Sequence, residues 1–243
     1  MEIFPLQEGV YRVDQHKHFW PDSAALPDAE KMLQMAIQPF LVKVKGEWIL
    51  IDAGLDRTSG QDYLLLSLLA EQGVQPEQIS KILLSHLHKD HTDGLGYFDA
   101  SNRFALHFSG AEIFVQQQEL EYALAQEGSR SYNAALLQQL AQLPNLRLLD
   151  ECKGHITPEI SFEIAGGHTP FHQVFWIKDG AQTAFYGGDD LPQKRYLDRP
   201  VAYKTDYEGK KAMQLRQHWE QQARAEHWSV LLYHDLTTPV VHF

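Results

Sequence analysis

The apolar run KILLS (81–85) passes without a spacer into His86-Leu87-His88-Lys89-Asp90-His91, and then into Thr92-Asp93-Gly94. A short apolar run of this kind reads as a buried strand, so these side chains begin where the backbone is rigid and a cleft can open. Residues two apart in an extended segment share a face, so His86 and His88 are expected to converge, with Asp90 next in the same rhythm. His91 breaks the rhythm and should point elsewhere, near the turn or helix that opens at 92–94. Imidazole and carboxylate without thiolate suit a catalytic rather than a structural metal. With 13 His in 243 residues, composition alone would produce His-x-His-x-Asp-His about 0.002 times per chain, so the pattern calls for a cause.

The same placement recurs along the chain. Further strand candidates are 40–52, with Gly46 as a hairpin turn, then 104–109, 145–150, 160–165, 172–178, 182–188 and 228–233. They are rich in β-branched and aromatic residues and bounded by Gly, Pro or Asp. Helical periodicity falls at 61–72, 111–126, 131–142 and 208–226, which implies a layered α/β or α+β architecture with helices covering sheet faces. His168 follows the 160–165 strand through Gly166-Gly167, Asp189 follows QTAFY through Gly187-Gly188, and His234 follows WSVLLY directly. Two metals need more than the four groups of the first motif, and these three sit at strand ends as further candidates. Asp189 is preferred to Asp190 because it directly follows the Gly pair. Asp52, closing WILI, suits a hydrogen bond that fixes a ligand from behind.

The ordered set LIDAG (50–54), His-x-His-x-Asp-His (86–91), Gly-His-Thr-Pro (167–170), Gly-Asp (188–189) and His234 resembles the metallo-beta-lactamase superfamily, and most closely its small lactonase-like and glyoxalase II-like hydrolases. The resemblance implies an α+β fold, a four-layer αββα sandwich of two mixed sheets flanked by helices. It also implies two divalent ions, zinc first, with iron or manganese accepted by the same donors. His86, His88 and His168 would hold one ion, Asp90, His91 and His234 the other, and Asp189 would bridge them, with Asp52 and His172 supporting the ligands. The implied activity is hydrolysis of an ester-like bond (lactone, carboxylic ester or thioester) in a small molecule, by a hydroxide shared between the ions. Asp90 would orient that nucleophile and help move its proton. Alternatives are a phosphodiesterase of the same superfamily and a noncatalytic metal-binding protein.

Two departures from the family pattern stand out. Phe171 replaces the second Gly of Gly-His-Thr-Pro-Gly-His, which would put an aromatic beside the site. Asp189-Asp190-Leu191-Pro192 lacks the Tyr that lactonases carry shortly after the bridging Asp, leaving Tyr186 and Tyr203 as candidates to replace it. His88, where the di-iron redox branch has Glu, argues against that branch.

Composition narrows the partners. A formal charge of −11 disfavours binding to phosphate backbones or anionic lipid, leaving a small-molecule partner and an open oligomeric state. The single Cys, Cys152, cannot form an intrachain disulfide and is expected to be a partly buried bystander. MEIFPLQEGV lacks a secretory pattern, and YLLLSLLA (63–70) is far short of the ~18 residues that span a bilayer; a cytoplasmic protein is expected. No repeat or linker interrupts the chain, so residues 1–243 are read as one domain. His16 and His18 imitate a ligand pair but sit in a polar loop. Phe19, Trp20, Met32 and Met35 are candidates to line a substrate pocket.

Overall fold

Alternation along the central strands sets the layering. In Phe40–Val44, Phe40 and Val42 face one apolar cluster while Leu41 faces another; in Glu47–Ile51, Ile49 and Ile51 take the first side and Leu50 the second. Gln182–Tyr186 repeats the pattern, with Ala184 and Tyr186 on the shared side and Phe185 on the other. Strands that are apolar on both faces must be covered on both, so two sheets stack and each outer face takes helices.

The computed structural model describes residues 1–55, 58–59 and 62–243. The first sheet runs in the order Glu2–Pro5, Phe40–Val44, Glu47–Ile51, Ile79–Leu83, Glu112–Gln116, Leu146–Leu149. The second runs Lys153–His155, Ile160–Ile164, Gln173–Asp179, Gln182–Tyr186, Ser229–Leu231, Val240–His242. Both are mixed, with parallel pairing from Glu47–Ile51 through Leu146–Leu149 and between Gln182–Tyr186 and Ser229–Leu231. Helices α1 (Leu64–Glu71), α3 (Gln117–Leu124) and α4 (Ala134–Leu140) bury Leu65, Leu69, Leu120, Leu136 and Leu140 against the first sheet. Helix α6 (Gly209–Glu226) buries Trp219 and Ala223 against the second. Of two one-turn helices, α2 (Lys89–Thr92) carries Asp90 and His91 of the His motif and α5 (Arg195–Asp198) follows the Asp motif. The expected αββα sandwich is the architecture that forms.

Several sequence expectations are corrected. Residues 111–126 are not one helix: Glu112–Gln116 is a central strand and only Gln117–Leu124 is helical. Ile113, Phe114 and Val115 satisfy either periodicity, and pairing between two parallel neighbours decides for the strand. The helix expected at 61–72 is seen as Leu64–Glu71, and Gln61 lies outside the described residues. A three-stranded sheet of Phe19–Pro21, Gly9–Val13 and Leu33–Ile37 forms in the N-terminal region, where no strand was expected. Cys152 is exposed, not partly buried, because it lies in the turn between the two sheets. No helix among the described residues is long and apolar enough to cross a membrane.

The turn after the His motif packs directly on the strand-end loop that carries Asp52. A Cβ at Gly94 would lie 1.9 Å from the Ala53 carbonyl oxygen, a backbone atom that cannot step aside. Gly94→Ala is therefore expected to destabilise the fold by about 1–3 kcal/mol, read from urea unfolding; a loss under about 0.5 kcal/mol would show that the two loops are not tightly seated.

Candidate metal centre

The site gathers where strands of both sheets end. Asp52 follows Glu47–Ile51 with a left-handed backbone (φ 53°), an unusual conformation that Asp adopts more readily than most residues. Its fully buried carboxylate accepts the Ser85 amide (2.8 Å), the Ser85 hydroxyl (2.8 Å), His91 Nδ1 (2.7 Å) and the Tyr186 hydroxyl. Strand-end Ser85 also accepts the Gln173 amide through its carbonyl (2.9 Å), stitching the second sheet to the first beside His86.

These bonds fix how each imidazole faces. A carboxylate or carbonyl oxygen only accepts, so a neutral His91 carries its proton on Nδ1 toward Asp52 and turns a bare Nε2 inward. His234 does the same, with Nδ1 donating to the Ala36 carbonyl (2.7 Å), and His168 with Nδ1 toward Asp206 Oδ1 (3.1 Å). The Ser85 hydroxyl, having given its proton to Asp52, accepts His86 Nδ1 at 3.0 Å. His88 presents Nδ1 instead, 3.0 Å from His86 Nε2 and 3.2 Å from His168 Nε2.

Asp189 stands between two sets of nitrogens. Its Oδ2 is 3.3 Å from His168 Nε2 and 4.0 Å from His86 Nε2, while Oδ1 is 3.0 Å from His234 Nε2 and 3.3 Å from His91 Nε2. Asp90 Oδ2 lies 3.6 Å from His234 Nε2 and 3.8 Å from His91 Nε2. Two donor groups result, His86–His88–His168–Asp189 and Asp90–His91–His234, each with its donor atoms within 4.8 Å of one another. Buried His91 Nε2, His234 Nε2 and Asp189 Oδ1 have no hydrogen-bond partner among the described residues. Convergent lone pairs, unpartnered and held from behind, are the arrangement a cation pair fits.

Electrostatics agree. Burial, with His91 beside the former and His168 beside the latter, holds His86 and His88 well below the ordinary histidine range. Burial opposes charge on His91 and His168 too, but Asp189, together with Asp52 and Asp90 around His91 and Asp206 beside His168, raises both. Asp189 is also opposed by burial, yet His234, His91 and His168 hold its carboxyl well below the usual range. An ionised carboxylate among inward-facing imidazole nitrogens is a setting that favours a bound proton or cation.

Asp190 and His172 face away from the cluster. His172 accepts the Asp189 amide through Nε2 (3.1 Å) and sets Nδ1 3.2 Å from Asp190 Oδ2, which in turn accepts the Gly167 amide (3.3 Å). A Cβ at Gly188 would lie 2.5 Å from His172 Nε2, so glycine is required for this contact. Fully buried Arg216 of α6 donates to the Asp190 carbonyl (2.8 Å) and the Val201 carbonyl (2.7 Å), with its guanidinium over the Tyr196 and Tyr203 rings. It anchors α5 beside Asp189.

Sequence reading missed Glu119. Its buried carboxylate accepts the Thr169 hydroxyl (2.7 Å) and the Leu87 amide (3.3 Å), joining the loops that carry His168 and His88; burial raises its pKa, against the pull of Thr169. Placing a strand at 112–116 would have put Glu119 just beyond a strand end, like the other site residues. Asp206 lies in a loop with no such signal.

A cavity of about 540 Å3 opens over the cluster, with His88, Asp90, His168, Asp189 and His234 among its lining residues. Phe19 and Met35 line it; Trp20 lines an adjacent cavity, and Met32 lines neither. Tyr186 is turned to Asp52 and Tyr203 stacks behind Tyr196, so neither of the two tyrosines expected at the pocket reaches it. Tyr132 and Tyr196 do. Burial raises both of their pKa values, keeping their hydroxyls protonated. Phe171 packs edge-on against Tyr122 and does not line the cavity.

Comparison with known proteins bears on the fold and the family. N-acyl homoserine lactonases of Bacillus thuringiensis are 25% identical over 182 residues, a match covering 66% of this chain and 65% of theirs. An N-acyl homoserine lactonase of Bacillus cereus is 30% identical over 115 residues, 47% of this chain and 39% of that protein. The fold is similar to that of a probable metal-dependent hydrolase from Staphylococcus aureus (TM-score 0.77, 19% identity, covering 99% of this chain and 91% of that one). It is also similar to AidC, a dizinc quorum-quenching lactonase (TM-score 0.74, 23% identity, 99% and 89%). A sequence profile of the metallo-beta-lactamase superfamily matches residues 36–208, and the chain belongs to that superfamily.

Proposed function

We propose that this chain is a metal-dependent hydrolase that cleaves an ester-like bond, in a lactone, carboxylic ester or thioester, of a small molecule. The observation that carries the reading is the pair of donor groups with Asp189 standing between them, beside a cavity of small-molecule size. His86, His88 and His168 would hold one divalent ion and Asp90, His91 and His234 the other, with Asp189 reaching both and zinc the first choice. When bound, such a pair supplies Lewis acidity and an acidified water at neutral pH.

The chain's own residues do the rest. Asp52, Asp206 and the Ala36 carbonyl lock the imidazoles so that their inward nitrogens need no reorganisation. Asp90, its Oδ2 near the inward nitrogens of His91 and His234, is placed to orient the attacking water and to take and return its proton. Tyr132 and Tyr196 offer protonated hydroxyls to the substrate's oxygens. Ser85, in contact with His86, is buried and spends its proton on Asp52, so it is not the nucleophile.

The test is metal analysis of the purified protein, followed by a zinc-loaded hydrolysis panel of lactones, thioesters, carboxylic esters and phosphodiesters. Two zinc ions per chain and cleavage of the ester-like members, abolished by chelation and restored by zinc, are expected. Cleavage of phosphodiesters alone, or of nothing at full zinc loading, contradicts the reading.

A further inference from the structure

Resting on the hydrolase reading, we infer that the substrate carries an anionic group, a carboxylate or phosphate, beyond the bond that is cut, and that Lys17, Lys89 and Arg195 receive it. Charge on the cavity is sorted by depth. Its carboxylates Asp90, Asp189 and Asp206 are all within 4.0 Å of histidine nitrogens at the floor. Its cations line the same cavity, Lys17 and Arg195 from exposed positions and Lys89 from a half-buried one. None of the three is paired with a carboxylate among the described residues, in a chain whose net charge is −11.

Lys89 is the most fixed of them. Half-buried, it donates one Nζ hydrogen to the Lys17 carbonyl (2.7 Å) and rests 5.5 Å over the Phe19 ring, with further donors left for a ligand. Its amide bonds to the Ser131 carbonyl (2.8 Å), which ties it to the opposite loop. Lys17 occupies a left-handed turn (φ 59°) and offers its carbonyl to the Lys89 ammonium, so the two lysines stand side by side at the cavity. Arg195 arrives on a separate segment, as the first residue of α5, with its guanidinium 5.7 Å over Tyr196. An uncharged substrate would leave all three without a counter-charge; an anion held here would leave the scissile bond over the floor.

The test uses zinc-loaded protein and three aryl esters of equal chain length, ending in methyl (hexanoate), carboxylate (adipate monoester) or phosphate. At low ionic strength at least one anionic ester should exceed the hexanoate ester about tenfold in kcat/KM, and the ratio should shrink with added salt. In Lys89→Met/Arg195→Met it should fall to about one. Wild-type turnover of the hexanoate ester equal to or above both anionic esters overturns the inference. If no ester is cleaved, the hydrolase reading fails and calorimetry still decides. Adipate and hexanoate each offer one carboxylate to the metals, so about tenfold tighter binding of adipate supports the inference and equal binding overturns it.

Discussion

Asp189→Ala is expected to reduce bound zinc from two per chain to one or none and to lower turnover about 10³-fold or more. The size follows from position. One carboxylate oxygen serves the His86–His168 side and the other the His91–His234 side, so truncation removes a donor from both groups at once. It also removes the negative charge nearest the inward nitrogens of His91, His168 and His234. Asp189→Asn keeps the shape, loses the charge and one acceptor, and should retain partial metal. Metal analysis with steady-state kinetics on both variants provides the check; two tightly held zinc ions and kcat within tenfold of wild type in the alanine variant would contradict the bridging role.

Asp52→Ala should be nearly as damaging, and to the fold as well. Truncation strands the Ser85 amide, the Ser85 hydroxyl, His91 Nδ1 and the Tyr186 hydroxyl in a dry interior. Alanine at φ 53° adds backbone strain. A loss of about 3–5 kcal/mol is expected in urea unfolding of the metal-free protein, along with about 10–100-fold weaker zinc binding in a chelator competition. Asp52→Asn, which tolerates the left-handed backbone and keeps one acceptor, should fall between. A stability loss under about 1 kcal/mol for the alanine variant would show that Asp52 does not tie the strand ends together.

What could be read from sequence was governed by how strongly burial marks a segment. Ile79–Leu83, Ile160–Ile164, Gln182–Tyr186 and Ser229–Leu231 are apolar runs that His or Asp follows within a few residues, so both the strand and the chemistry beyond it were visible. Glu2–Pro5, Gly9–Val13 and Leu33–Ile37 are partly exposed and carry Glu, Arg and Gln, which erases the alternation; they went unread. Glu112–Gln116 failed differently, because its apolar residues run on into a helix at helical spacing, and that error hid Glu119. Asp206, Tyr132 and Tyr196 come to the site through loops and short helices whose course depends on tertiary packing, such as Arg216 under α5. No local pattern announces them.

Seven side chains are proposed to hold two ions with Asp189 between them. Diffraction from zinc-loaded crystals at the zinc edge tests this proposal directly. Two anomalous peaks ~3.5–4 Å apart are expected, one beside His86, His88 and His168, the other beside Asp90, His91 and His234, with Asp189 in contact with both. A single peak, or two that leave Asp189 or His234 uncoordinated, would contradict it.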